Sequence, residues 1–214
     1  DYPLQGQLDW QWQPDALATL NARTHIEGSL SRLVLVQDIL SPCNVHTELT
    51  LIDILDTLQV DGELTLQDCA LAAISNDLPE LQVNTILTVA GPLEQLHITG
   101  SGHSLDAQAN RIDAILDAKL QPERLHIQTL QLTMPEQTTR LQLRGHVDFA
   151  MAEPDIDLQA DWQELSWPLH TKPLASSARG ELALTGSPGA YHINASALLD
   201  APDYTPARIQ LQGQ

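Results

Sequence analysis

The stretch Leu141–Trp167, LQLRGHVDFAMAEPDIDLQADWQELSW, decides the fold class. Leu141, Leu143, Gly145, Val147 and Phe149 fall on one face at period two, and Gln142, Arg144, His146 and Asp148 on the other, the alternation of a strand with one buried face. Ile156, Leu158, Ala160 and Trp162 repeat the pattern, with Asp157, Gln159 and Asp161 between them, after a polar, Pro-containing turn from Ala150 to Asp155. An antiparallel hairpin that keeps the apolar faces together pairs Phe149 with Ile156, Val147 with Leu158, Gly145 with Ala160 and Leu143 with Trp162.

The pattern recurs at both ends of the chain. Leu8, Trp10 and Trp12 run into the turn Gln13-Pro14-Asp15 and return through Ala16, Ala18 and Leu20, a register that sets Trp12 against Ala16, Trp10 against Ala18 and Gly6 against Ala22. Leu182 and Leu184 turn through Thr185 to Ala190, which places Ile193 opposite Leu182 and Ala195 opposite Gly180. An inward Gly facing an inward Ala in three hairpins argues for an internal repeat. Inward-phase glycines at 28, 62, 145, 180 and 213 are spaced by 34, 83, 35 and 33 residues, so a unit near 34 residues holds two strands and their turns. The tetrapeptide LQGQ occurs at 4–7 and again at 211–214. The expectation is one repetitive β segment over 1–214, a piece of a longer chain.

Between the ends, Val45, Thr47, Leu49 and Leu51 alternate cleanly and turn at Asp53–Asp56 into Leu58, Val60, Gly62, Leu64 and Leu66, with Gly62 facing Thr47. Leu33 to Val36 is apolar on both faces, as at a bulge or a strand buried on two sides. Further strands are read at Leu81–Val89, Leu96–Gly100, Leu105–Ala109, Ile112–Leu120 and Leu125–Leu132. The run RIDAILDAKL also fits a short helix; its alternation through Ile112, Ala114, Leu116, Ala118 and Leu120 favours a strand.

The inward candidates are Leu8, Trp10, Trp12, Leu49, Leu51, Val60, Leu64 and Leu66 in the first part of the chain. Leu81, Val83, Leu87, Val89, Leu96 and Ile98 continue them, and Leu141, Leu143, Val147, Phe149, Ile156, Leu158, Trp162, Leu182, Leu184 and Ile193 complete them. About fourteen strands at ~4.8 Å spacing give an all-β, largely antiparallel sheet roughly 65 Å long with one apolar and one acidic face. Two closures cover the apolar face: a sandwich, or a U whose interior is filled by lipid chains.

With 43% apolar residues but only four Trp, three Tyr and one Phe, burial falls to aliphatic side chains. A net charge of −18 and 10 scattered basic residues argue against duplex nucleic acid and an anionic membrane surface as partners. Eight histidines sit mostly on polar phases without a carboxylate-completed cluster, so no metal is expected. Gly100-Ser101-Gly102-His103-Ser104 lacks the strand-to-helix setting of a nucleophile elbow and reads as a turn. The acidic pair Asp155 and Asp157 lies on the solvent face. Neither catalysis nor a cofactor is expected. Two cysteines permit a disulfide, but the register leaves Cys69 beyond Leu66, the residue opposite Cys43, and on the other phase. A bridge therefore needs a bulge or a neighbouring strand, and two separate buried thiols are the simpler reading.

IDLQADWQELSWPL (Ile156–Leu169), the preceding LQLRGHVDF, ARGELALTG (Ala178–Gly186) and the repeated LQGQ resemble the TamB family, within the wider AsmA-like group of Gram-negative envelope proteins. The segment WQELSWPL (Trp162–Leu169) is the sharpest part of the likeness. The resemblance implies a long periplasmic sheet curled into an open, U-shaped, apolar-lined groove, a β-taco, whose parent chain is anchored in the inner membrane at its N-terminus. It implies phospholipid transport between the two membranes or outer-membrane protein assembly, with an outer-membrane barrel partner of the TamA type. Three functions are therefore carried forward: a conduit for phospholipid acyl chains flanked by adjoining segments of the parent chain, an assembly factor acting by β-augmentation, and a closed sandwich or stalk.

Overall fold

A computed structural model of the chain describes residues 2–13, 18–75, 77–106, 109–135, 138–151, 153–167, 174–201 and 204–213. The expected turn residues Pro14 and Asp15, Ala16 opposite Trp12, and Pro168 and Leu169 of the WQELSWPL segment lie outside the described residues.

Among the described residues the structure is all-β apart from one helical turn. Two compact units divide the chain, Asp1–Ala109 and Asn110–Gln214. The first contains β1 (Leu4–Trp12), β2 (Leu20–Gly28), β3 (Arg32–Ser41), β4 (Asn44–Ile52), β5 (Gln59–Ala70), the short helix α1 (Leu71–Ile74), β6 (Leu81–Pro92) and β7 (Leu96–Asp106). The second contains β8 (Arg111–Gln121), β9 (Arg124–Met134), β10 (Thr139–Asp148), β11 (Asp155–Trp167), β12 (Ala175–Ser187), β13 (Ala190–Ala201) and β14 (Tyr204–Gly213). Strand order is chain order from β1 to β14, an antiparallel meander that is not closed into a barrel. The segment 112–120 is a strand, as its period-two alternation requires.

The hairpins expected from the sequence form, but their registers differ. Val147 faces Ile156, Gly145 faces Leu158 and Leu143 faces Ala160, two residues from the expected pairing, and Phe149 lies just past the end of β10. Leu182 faces Ala195 and Gly180 faces Ala197, again a slip of two. Trp10 faces Ala22 and Gly6 faces Ile26, a slip of four. Gly62 faces Leu49 rather than Thr47. An even slip leaves every side chain on its own face, so the apolar pattern is blind to it. The expected Gly-opposite-Ala pairing survives only at Gly180, with Ala197 in place of Ala195.

Gly100 to Ser104 is no turn: it runs through β7, paired with β6. A Cβ on Gly100 would overlap the Leu87 side chain, and one on Gly102 would lie 2.5 Å from the Asn84 carbonyl oxygen, so both glycines admit a close neighbour within a regular strand.

Cys43 and Cys69 are bridged, with Cα atoms 4.8 Å apart. The register between β5 and β6 shifts between Leu66 and Cys69, and Asp68 stands in the left-handed region at φ 47°. The extra residue turns Cys69 onto the face that carries Leu66 and Val83, which is the bulge a bridge needed. Asn84 on β6 holds that bulge: its Oδ1 accepts from the Asp68 N–H at 2.9 Å, and its Nδ2 donates to Asp68 Oδ1 at 3.3 Å.

Few side chains are fully enclosed. Among the described residues the buried hydrophobics are Ala22, Cys43, Val60, Cys69, Ala118 and Met134, joined by Thr139 and Ser177. The chain exposes 13838 Å² at 23.5 kDa, where a compact protein of that mass exposes about 9800 Å². The strands are held by ladder hydrogen bonds and half-buried aliphatic rows rather than by a sealed core.

Candidate functional site

The candidate site is the apolar face of the strands, described unit by unit. In the first unit the register carries one face across the sheet: Trp10 to Ala22 to Ile39 to Val45 to Leu66. Two rows along, the same face runs Leu35, Leu49, Gly62, Val89 and Ile98, beyond a mixed row of Leu8, Thr24, Gln37, Thr47, Leu64 and Leu87. Leu8, Trp12, Leu51, Val60, Leu64, Leu81, Val83, Leu87 and Leu96 stand on this face with them. In the second unit Leu132, Leu141, Trp162, Gly180, Ala197 and Ile209 form one row. Leu130, Leu143, Ala160, Leu182, Ala195 and Leu211 form the next. Val147, Ile156, Leu158, Leu184 and Ile193 share that face. Phe149 is outside the ladder and 50% exposed; its backbone N–H donates to the Glu123 carbonyl at 2.6 Å.

Most of these side chains are half-buried, whereas Leu8 and Trp12 on the outermost strand are 59% and 56% exposed. The face is nearly without charge. Among the described, paired residues it carries no Lys, Arg, His or Glu, and its one Asp is Asp106, opposite Leu81 at a strand end.

Several of its polar atoms are tied back. Trp10 Nε1–H donates to Thr24 Oγ1 at 3.1 Å, and Trp162 Nε1–H donates to Ser177 Oγ at 3.0 Å. Ser177 in turn donates to the Arg179 carbonyl at 3.1 Å, and the Thr139 hydroxyl to the Glu164 carbonyl at 2.5 Å. The Trp162 indole lies over Gly180 on the next strand, and Trp10 faces Ala22 in the ladder.

Several residues of this face escaped the sequence reading. Leu33, Leu35 and Ile39 were hidden because Val34 and Val36, on the opposite face, are also apolar. In β9 the phase changes between Ile127 and Leu130, where a bulge faces Asp117 and Ala118 of β8. The signal was the broken alternation of Leu125-His126-Ile127-Gln128-Thr129-Leu130, in which two polar residues separate the apolar ones.

The opposite face is polar and laced with ion pairs. Asp9, Arg23, Asp38 and His46 occupy one row over β1 to β4, with Arg23 Nε 2.8 Å from Asp9 and His46 Nδ1 2.7 Å from Asp38. The hydrogen bond to Asp9, with its charge and that of Asp38, raises the pKa of Arg23 further. In the second unit Arg124 reaches Asp148 at 2.6 Å. That bond, with the Ala150 backbone N–H, holds the Asp148 carboxyl below the ordinary carboxylate range. His126 and His146 are cross-strand partners with Asp157 beyond them, yet no group of three or more ligating side chains among the described residues is placed to hold a metal ion. Ser104 and His103 alternate to opposite faces of β7.

An open antiparallel meander with one nearly uncharged apolar face and one ion-paired face defines an open β-sheet class of protein rather than a closed barrel. Residues 134–214, from the end of β9 through β14, match the family model described as TamB, N-terminal domain, so this part of the chain is similar to that family. The quoted segments Leu141–Phe149, Ile156–Leu169 and Ala178–Gly186 fall inside the matched range. That family is a non-enzymatic, envelope-associated translocation and assembly component that works with TamA-type partners. No curated protein and no solved structure matches the chain.

Proposed function

We propose that the chain is a segment of a conduit for phospholipids between the inner and outer membranes, working without catalysis. Acyl chains lie along the apolar face of each unit while head groups stay in water. The observation that carries this reading is the half-covered aliphatic face on which the Trp10 and Trp162 indole N–H groups are satisfied internally. Each buried methylene is worth about 0.8 kcal/mol wherever along such a face it lies. A lining dominated by aliphatic side chains therefore gives affinity with few fixed stopping places, which suits passage. The disulfide suits an oxidising compartment, and we place the segment in the periplasm, in a parent chain anchored in the inner membrane, beside a TamA-type barrel.

A second reading is assembly of outer-membrane β-barrel proteins by strand addition. What favours it is the likeness of residues 134–214 to a family described as a translocation and assembly module.

Lipid mass spectrometry on the purified chain tests the proposal: phospholipid is expected to co-purify. In the parent protein, Leu158→Arg or Ala160→Asp is expected to leave strand content and expression intact, because an open face hydrates the charge, and to abolish function in an envelope-integrity assay. Asp157→Arg and Gln159→Arg, on the polar face, are expected to be silent. Unfolding by the inward charges, or equal harmlessness of both pairs, overturns the conduit; capture of polypeptide and never of lipid by photo-crosslinkers along the face selects assembly.

A further inference from the structure

At one end of the first unit the β1–β2, β3–β4 and β5–β6 connections meet, and two bonds of different kinds tie them together. The Cys43–Cys69 bridge joins the β3–β4 turn to the last residues of β5. Further on, the Ile74 carbonyl accepts from the Ala18 N–H at 2.8 Å, so α1 reaches past that turn to the segment before β2. This end is sealed: Ala22, Cys43 and Cys69 are 4%, 5% and 0% exposed, whereas Leu30, Leu55 and Leu93, at the turns of the opposite end, are 40%, 80% and 55% exposed.

Little else among the described residues holds α1. It is a single turn of four residues without a side-chain cap, none of them is buried, and Leu71, Ala72 and Ile74 are half-covered. A helix so short has no stability of its own. Its foot is firmer, because Cys69 follows the Asp68 bulge that Asn84 pins from β6. A segment fixed at its foot and latched at its tip by one backbone hydrogen bond opens locally at low cost.

We propose that Leu71–Ser75 is a hinged cover over one margin of the first unit's apolar face, and that the bridge at its foot keeps it shut. With the bridge closed, the β3–β4 turn is fixed to β5, and the Ala18–Ile74 latch spans a constant gap. A dithiol reductant opens the bridge by thiolate attack on one sulfur. The S–S bond breaks, Cys43 and Cys69 become thiols, and the reductant closes to its own disulfide, two electrons and two protons passing to the protein. The turn is then free of β5, the latch loses the gap it fits, and the cover swings out.

Behind the cover lie Ala22 and, in the same row, Ile39, Val45 and Leu66. In the conduit reading, on which this step alone rests, that row is added surface for acyl chains, so the reduced chain takes up lipid there and the oxidised chain does not. Latch and bridge are linked, and linkage is reciprocal: whatever the bridge contributes to the latch, the latch contributes to the bridge.

Two measurements on the whole chain test the cover without lipid. Hydrogen exchange at the Ala18 amide is expected to quicken about fivefold or more when dithiothreitol reduces the bridge, while amides of β9 to β12 keep their rates. Ala18→Pro, which deletes the latch donor, is expected to keep its strand content by circular dichroism and to quicken reduction of the bridge by a similar factor. The exchange measurement needs no variant, so it decides the matter if Ala18→Pro does not fold. An Ala18 amide indifferent to reduction overturns the inference, and so does a bridge reduced at the same rate in a folded Ala18→Pro. Exchange that quickens equally at Ala18 and throughout β2 to β6 also overturns it, since the bridge is then a staple of the whole unit. With vesicles of phosphatidylethanolamine and phosphatidylcholine as the probe, a photo-crosslinker at Val45 is expected to capture lipid from the reduced chain only, and one at Leu158, in the second unit, from both states. Equal capture at Val45 in the two states overturns gating by the cover. Capture at neither position counts against the conduit reading instead, and the two lipid-free measurements still decide the cover.

Discussion

Trp162 on β11 lays its indole on Gly180, its opposite partner on β12: a Cβ on Gly180 would overlap Cζ2 and Cε2 and lie 2.8 Å from Cη2. The ring is held there by its own N–H, which donates to the hydroxyl of Ser177, a residue 4% exposed. The missing side chain on one strand is thus the seat of the largest side chain on the next.

Gly180→Val is expected to displace the indole and destabilise the chain by about 1–3 kcal/mol, the usual cost of overpacking. Trp162→Phe keeps the seat filled and is expected to cost about 1 kcal/mol for the lost hydrogen bond, Ser177 keeping its bond to Arg179. Urea unfolding followed by circular dichroism checks both. Equal stability of Gly180→Val and the unaltered chain means the indole does not sit on this glycine.

The bridge between Cys43 and Cys69 spans 26 positions and encloses the hairpin of β4 and β5. Restricting the unfolded chain by a loop of that size is worth about 3.5 kcal/mol. Replacing both cysteines with Ala is expected to lower the melting temperature, and added reductant is expected to lower that of the unaltered chain but not of the double variant. Two free thiols by Ellman assay on unreduced, unfolded protein is the result that removes this staple.

Asp148 makes stability depend on pH with a defined sign. Its folded pKa is lowered by the hydrogen bond from Arg124 and the Ala150 N–H, so its contribution is fully present above the unfolded carboxyl's value of about 3.9. It is lost as pH falls through the lower folded value. Asp148→Asn is therefore expected to reduce stability at neutral pH and to flatten the acid limb of the stability curve. A carbon-detected NMR titration of the Asp148 carboxyl should give a midpoint below that of exposed aspartates; a midpoint at or above theirs excludes the effect.

The sequence by itself determined which face each side chain takes, because period-two alternation admits no other assignment for Leu141 to Val147 or Ile156 to Trp162. It determined the all-β class, and that 112–120 is a strand. Which partner each residue meets was decided only in three dimensions. Slips of two between β10 and β11 and of four between β1 and β2 keep the faces intact, so the turns and the neighbouring strands choose among registers that the pattern leaves equal. The bridge was decided the same way: one extra residue at Asp68, pinned by Asn84 from the adjacent strand, reverses the phase of Cys69, and no local feature of the sequence announces a residue that leaves the ladder. Gly100 to Ser104 reads as a turn when only its own glycines are weighed. It is a strand because Leu87 and Thr85 of β6 occupy the space those glycines leave, and that depends on a neighbour distant along the chain.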